Sequence, residues 1–319
     1  MKSQLLKEIV LPLVFFLAVC PSAKAFWVWT PETNKWVNPK YAVKETPEDQ
    51  LAEVRKLLGA ARYDDAIRES RKLLEHYPKS REAAEAQYLI AESHFQQGDL
   101  LQAFKDFQVV VEKYPFNERS SEIVRRQFEI GNLLLEGQYK RNKIVNTIVG
   151  GDYDVIEIFR TVIRNAPYGE YAAPAQYKIG LYLQEKGMYQ EARDEFEKTM
   201  NDYPQNQWAE AAEYQIALSD AKRSAGPQYN QAVTRAAVDE FKDFVEENPQ
   251  AELSDDARVE IQRLREKEAE NMFLIAEFYE KQRQYDAARI YYSSIIDQYP
   301  NTPRVPQALE KVRELSQKR

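Results

Sequence analysis

The chain has 319 residues, a net charge of −7, 30% charged residues, 10 glycines and one cysteine. A composition rich in Ala, Glu, Leu, Arg and Gln with so little glycine favours long helices and leaves little material for a twisted sheet. The acidic balance argues against nucleic acid as a partner, because phosphates call for a basic surface.

Residues 1–25 are typical of a signal peptide. Two lysines precede an apolar run over residues 9–19, and Ala23-Lys24-Ala25 is a small-residue cleavage site. The run is too short to cross a bilayer, which takes about 20 apolar residues in a helix. We therefore expect an exported, periplasmic product that begins at Phe26.

The single cysteine leaves a second route open. Leu17-Ala18-Val19-Cys20 has the outline of a lipoprotein signal, in which Cys20 would be acylated, but Val19 stands where that signal prefers a small residue. Cleavage after Ala25 is the favoured route, and lipidation of Cys20 is the alternative.

Residues 26–46 form a tryptophan-rich segment with Trp27, Trp29 and Trp36. The alternation of Trp27 and Trp29 and the turn-forming stretch at 31–34 predict a short hairpin. The rings either pack on the first repeat or form an interface with a partner or with lipid.

A Tyr-Pro dipeptide recurs along the rest of the chain. Intact copies lie at 77–78, 114–115, 203–204 and 299–300, and degenerate copies at 166–167 and 248–249. Upstream of each later copy is an aromatic residue, any residue, Ile, and then Gly or Ala. These landmarks begin at Tyr88, Phe128, Tyr177, Tyr214 and Phe273. The Gly or Ala is expected where two helices cross closely.

A small residue and an aromatic four positions later mark the second helix of most units, as in Ala192 with Phe196. These positions resemble the tetratricopeptide repeat (TPR), a helix hairpin of about 34 residues. The resemblance implies an all-α, right-handed superhelical solenoid of about six hairpins. We place the repeats at 47–78, 80–115, 118–167, 172–204, 207–249 and 252–300, with a terminal helix completing a solenoid over 47–319.

Two insertions interrupt the period. Residues 137–153 hold a basic cluster of Lys140, Arg141 and Lys143, interpreted as a longer hairpin loop or as a partner-binding loop. Residues 224–235 lengthen the fifth hairpin. Residues 254–282 contain no helix breaker and predict one long helix, with Ser254 as its N-cap.

The second half of the chain carries a more specific set of residues, namely Phe241, Phe244, Asp256, Ala257, Leu264, Arg265, residues 270–279, Tyr285, Ala288 and residues 299–302. With these residues it resembles the BamD (ComL) family. The resemblance implies a periplasmic protein, associated with the outer membrane, that binds β-barrel assembly components and unfolded outer-membrane proteins. Departures from the family are the poor lipobox, one extra repeat and the end of the chain soon after Leu309.

The resemblance to TPR proteins also suggests where a peptide would bind. First helices line the concave face of a TPR superhelix, which makes Tyr88, Phe95, Tyr177 and Tyr214 candidate peptide-binding residues. The alternative is that these rings pack between hairpins.

No residue pattern predicts catalysis. The two histidines, His76 and His94, fall inside repeat helices, and there is no phosphate-binding glycine loop, metal-ligand spacing or nucleophile elbow. We expect a binding protein without cofactor or metal. The main alternative is a periplasmic TPR adaptor for cell-envelope complexes of the Tol-Pal type or for peptidoglycan. A glycan-processing repeat domain is a third possibility.

Overall fold

The computed structural model describes residues 28–30, 35–37, 42–142, 155–224 and 231–318. The chain divides into two compact units, residues 1–99 and 100–319. The described part of the first unit contains β1 (Val28–Thr30), β2 (Lys35–Val37), α1 (Pro47–Gly59), α2 (Tyr63–His76) and α3 (Glu82–Gln96).

The described part of the second unit is entirely helical. Its helices are α4 (Leu100–Lys113), α5 (Ser120–Asn142), α6 (Val155–Asn165), α7 (Ala172–Glu185), α8 (Tyr189–Asp202), α9 (Gln207–Arg223), α10 (Gln231–Glu247), α11 (Leu253–Lys281), α12 (Tyr285–Gln298) and α13 (Val305–Ser316). Within the two units the described helices include five consecutive pairs, α1–α2, α5–α6, α7–α8, α9–α10 and α11–α12, and α13 follows the last pair, which confirms the all-α TPR fold.

Helix α1 begins where the sequence supplies a cap. The Thr46 hydroxyl accepts a hydrogen bond from the Asp49 N–H at 3.1 Å, and Pro47 occupies the first turn, where its missing N–H costs nothing. After α2 ends, the Tyr77 hydroxyl donates to the Lys44 carbonyl at 2.7 Å. The first Tyr-Pro tyrosine therefore ties the end of its hairpin to the chain segment that enters α1.

In the second unit each helix packs against its neighbours in chain order, from α4 to α13. The buried side chains form successive cores, and two helices contribute to two cores each. In α9, Ile216 belongs to one core and Tyr214 to the next core along the chain. In α11, Leu264 belongs to the same core as Tyr214, and Phe273 belongs to the core that follows. Stability is therefore expected to build up from nearest-neighbour contacts.

The small residue of the landmark lies where two helices cross. A Cβ atom on Gly131 would come within 2.7 Å of the Phe159 ring, and one on Gly180 within 2.5 Å of the Phe196 ring. Ala91, the alanine at the corresponding place in α3, is fully buried. The ring of the second-helix aromatic thus occupies the space that a larger side chain would need.

The turn inside several helix pairs requires one residue with a left-handed backbone. Gly98 and Gly187 take φ values of 80° and 77°, and Ala61 and Arg283 take 55° and 60° at the equivalent turns. Only glycine adopts this conformation without steric cost, so the two non-glycine turns are locally strained.

The structure corrects two local expectations. The helix α5 continues through Gly137 to Asn142, so the predicted loop at 137–153 is wrong over its first part: a single exposed glycine does not end a helix. The long helix is confirmed as α11, but Ser254 is not its cap. Ser254 lies inside the helix and its hydroxyl donates to the Asn248 carbonyl at 2.5 Å. Within the described residues no helix has the length and apolar character that crossing a membrane takes.

Candidate functional site

The tyrosines of the landmark lie inside the fold. Tyr88 is 4% exposed, Tyr177 7% and Tyr214 8%, while Phe95 is half-buried. The Tyr177 ring lies 5.4 Å from the Phe196 ring and 4.9 Å from the Trp208 ring, between centroids. The expectation of an open aromatic groove is corrected for these three rings, because helix packing leaves them almost no surface for a peptide.

The hydroxyl end of Tyr177 reaches a polar network that joins two first helices. The Gln215 amide donates to this hydroxyl, and Gln184 donates to Gln215 at 3.1 Å and to the Ser219 hydroxyl at 3.0 Å. Lys222 completes the set by donating to the Gln184 carbonyl oxygen at 2.8 Å. These five residues of α7 and α9 are called the first-helix network.

Lys222 is the exposed, charged member of the first-helix network. Partial burial lowers the pKa of its ammonium group, nearby Glu260 acts in the opposite direction, and Arg263 lowers it again. Burial also raises the pKa of the Tyr177 hydroxyl, while the Gln215 hydrogen bond opposes that effect. The network therefore offers a cation beside amide and hydroxyl groups that can donate and accept hydrogen bonds.

A second polar arrangement joins the two helices within a repeat. Gln50 of α1 donates to the Glu69 carboxylate of α2 at 2.9 Å, and Gln176 of α7 donates to Glu195 of α8 at 2.5 Å. Each glutamine is 19 positions before its glutamate and also donates to the glutamate's main-chain carbonyl. We call this arrangement the Gln–Glu bracket.

In the fifth repeat the bracket is replaced by two carboxylates. On the first helix, Glu213 occupies the position that Gln176 has in the fourth repeat, directly before the landmark tyrosine. On the second helix, Glu240 occupies the position of Glu195, directly before the second-helix phenylalanine of the repeat. Glu213 accepts instead from the Asn248 amide at 3.1 Å, and Glu240 accepts from Arg193 at 3.3 Å.

Glu213 and Glu240 line a cavity of about 410 Å³ between α8, α9 and α10. Burial, followed by the neighbouring Glu247, raises the pKa of Glu213. Burial and Asp220 raise the pKa of Glu240, which Arg193 opposes. Within the described residues, the second carboxylate oxygen of Glu240 is buried without a hydrogen-bond partner.

The remaining predicted site residues are only partly placed. Trp29 and Trp36 are 44% and 65% exposed, and they face each other across the two strands. Trp27, Lys143, Cys20 and the signal peptide lie outside the described residues.

The other members of the basic cluster and the two histidines lie on helices. Lys140 and Arg141 lie in the last turn of α5. His76 is exposed and bonds to the Lys72 carbonyl through Nδ1, and His94 is half-buried in α3. The described residues contain no group of three or more His, Cys, Asp and Glu able to hold a metal ion.

Several of the residues that carry the resemblance to BamD are core residues. Phe241, Phe244 and Ala288 are fully buried, and Leu264 is 1% exposed. These four side chains therefore serve the packing of the second half.

Sequence reasoning missed both polar arrangements. The bracket had a usable signal, because a glutamine on the first helix and a glutamate on the second helix recur 19 positions apart in the first and fourth repeats. The first-helix network had none, since its members come from two repeats and follow no common spacing.

The comparisons with known proteins divide the chain into two parts. The tetratricopeptide repeat family matches residues 51–118, and the family described as “Outer membrane lipoprotein” (YfiO) matches residues 156–319. The chain is thus a TPR repeat protein. Because the second match covers more than half of its residues, it belongs to the YfiO outer membrane lipoprotein family.

Individual relatives are more distant. The chain is 27% identical over 156 residues to the outer membrane protein assembly factor BamD of Caulobacter vibrioides, covering 49% of this chain and 51% of that protein. The chain thus spans about half the length of the curated relative that it matches.

Solved structures similar to this chain include two TPR proteins. One is a tetratricopeptide repeat protein from Parabacteroides merdae, 12% identical, covering 86% of this chain and 100% of that one, with a TM-score of 0.36. The other is the C-terminal part of a TPR repeat-containing protein from Cytophaga hutchinsonii, 14% identical, covering 84% and 88%, with a TM-score of 0.39.

Proposed function

We propose that this protein is a non-catalytic scaffold on the periplasmic side of the outer membrane that binds assembly partners and unfolded β-barrel proteins during their insertion. The observation that carries the proposal is membership of the YfiO family across residues 156–319, supported by the similarity to BamD. The predicted signal peptide agrees with an exported location. The absence of a catalytic pattern in the sequence agrees with a binding role.

The first-helix network is the surface that we assign to unfolded substrates. A β-barrel segment that has not yet paired exposes the N–H and C=O groups of an edge strand. Lys222 is exposed and Gln215 is half-buried, so their donor and acceptor groups can bond to an extended main chain. Gln184 is buried and accepts from Lys222, which positions the ammonium group at this surface.

This assignment is testable with one matched pair of variants. Lys222→Ala removes the exposed cation of the network, whereas Lys242→Ala removes an exposed lysine of α10 that pairs with Asp239 at 2.9 Å. Binding of a fluorescent peptide from a β-barrel strand should weaken about tenfold with Lys222→Ala and remain unchanged with Lys242→Ala. Equal affinities for both variants would remove the network as the substrate surface.

The broader role is tested by partner recovery. The tagged protein is cross-linked in cells, purified from solubilised envelopes and analysed by mass spectrometry. Recovery of an outer-membrane β-barrel assembly protein is the expected result. Recovery of Tol-Pal or cell-wall components without it would favour the adaptor role instead.

A further inference from the structure

The N-terminal hairpin presents two tryptophans on one face. Strands β1 and β2 pair antiparallel with Trp29 directly opposite Trp36. Directly opposed residues project on the same side of a two-stranded sheet. Both side chains are exposed, Trp29 at 44% and Trp36 at 65%, so the two indole rings form one exposed aromatic pair.

The size of this pair argues against a protein as its sole occupant. A tryptophan side chain offers up to about 250 Å², so the two exposed fractions together present roughly 270 Å². A stable protein interface takes about 800 Å² from each partner. A second copy of the chain docked on this pair would therefore have about a third of the area that a stable dimer needs.

The chemistry of the pair suits the interface of a bilayer. An indole ring combines an apolar body with one N–H donor, and this combination favours the headgroup region, where one side is wet and the other apolar. The pair also lies close to the export signal, since β1 begins three residues after Ala25, the predicted cleavage site.

The charge of the chain selects the kind of lipid. The net charge is −7, and it becomes −9 when Lys2, Lys7, Lys24 and Glu8 leave with the signal peptide. An acidic protein is repelled by an anionic surface. Aromatic insertion into a neutral or zwitterionic surface is not opposed in this way.

We propose that the Trp29–Trp36 face of the hairpin rests in the headgroup region of a zwitterionic bilayer and holds the repeats beside the membrane. This contact uses no protein partner. The membrane contact can therefore be tested separately from the role in β-barrel assembly.

The experiment uses the full mature chain with Trp208→Phe. This substitution removes the one tryptophan of the repeats, so emission comes only from the N-terminal segment. Phosphatidylcholine vesicles are added, and we expect a blue shift of the emission, quenching by brominated acyl chains and sedimentation of the protein with the vesicles. Phosphatidylglycerol vesicles should bind less protein at low salt.

A second variant adds Trp29→Ser and Trp36→Ser, and we expect the bound fraction to fall about tenfold while the helical circular dichroism stays the same. Trp208→Phe alone is the matched control and should bind as the natural chain does. Three results would each overturn the proposal: no blue shift with phosphatidylcholine, unchanged binding after the double substitution, or concentration-dependent self-association that accounts for the blue shift without vesicles.

Discussion

Restoring the missing bracket in the fifth repeat should stabilise the protein. In Glu213→Gln the new amide stands where Gln176 stands in the fourth repeat, from which it donates to Glu195. The acceptor is already in place, since Glu240 has a buried carboxylate oxygen that lacks a partner among the described residues. The substitution keeps the shape of the side chain and removes one buried carboxylate from the cavity.

The magnitude follows from two opposing changes. A hydrogen bond to a carboxylate contributes about 1.5–3 kcal/mol, and the substitution loses the charge-assisted bond from Asn248 to Glu213. We expect a net gain of about 1 kcal/mol at neutral pH, equivalent to roughly 2 °C in Tm for a chain of this size.

The stability gained by Glu213→Gln should decrease as the pH is lowered. Burial and Glu247 raise the folded-state pKa of Glu213, so the protein binds this proton more tightly when folded. Such a group contributes stability that is fully present below its unfolded pKa and is lost as the pH rises through the folded pKa. The advantage of Glu213→Gln should therefore be largest near pH ~7 and shrink towards pH ~4.

Urea unfolding followed by far-ultraviolet circular dichroism at several pH values measures this effect. Glu210→Gln is the matched control, because it removes an exposed carboxylate near the same groove without supplying a bracket amide, and it should change stability by less than about 0.5 kcal/mol. The reverse change, Gln176→Glu, should cost about 2 kcal/mol by placing a second carboxylate beside Glu195. A Glu213→Gln protein that is no more stable than the control at neutral pH would refute the reasoning.

Four further substitutions test the packing of the repeats by the same urea measurement. Gly180→Ala should destabilise by about 1–3 kcal/mol because the new Cβ atom meets the Phe196 ring, whereas Gly137→Ala, whose new Cβ atom has no described heavy atom within 4 Å, should stabilise by up to about 1 kcal/mol; equal effects would contradict the close crossing. Ser70→Ala should leave stability unchanged or raise it by about 1 kcal/mol, since the Ser70 hydroxyl is buried without a hydrogen-bond partner in the described structure, and a loss above 1 kcal/mol would mean that it has one. Arg283→Gly should stabilise by about 1 kcal/mol by relieving the left-handed backbone, and a loss of stability would show that the Arg283 side chain matters more than this strain.

Much of the fold could be predicted because its signals are local. A proline beyond the last turn prevents a helix from continuing, and the landmark repeats its Gly or Ala because the opposing ring leaves no room, as at Gly180. Helix α11 was predictable for the same reason, since nothing within 254–282 breaks it. The predicted loop is wrong over residues 137–142. A lone glycine suggests the end of a helix there, although the residues that follow it are compatible with a helix.

The candidate site was harder to predict because it depends on which face of each helix is covered. The spacing placed Tyr177 and Tyr214 on first helices, but a neighbouring helix covers both rings, and only the structure brings the Tyr177 hydroxyl to Gln215. Contacts such as Lys222 with Gln184 join residues 38 positions apart, for which a single sequence carries no signal.

Depletion of the protein in its own cells tests the proposed role at the outer membrane most directly. Outer-membrane and periplasmic fractions are compared by quantitative mass spectrometry as the protein disappears. We expect β-barrel proteins as a class to decrease in the outer membrane while outer-membrane lipoproteins remain. Unchanged β-barrel levels after complete depletion would contradict it.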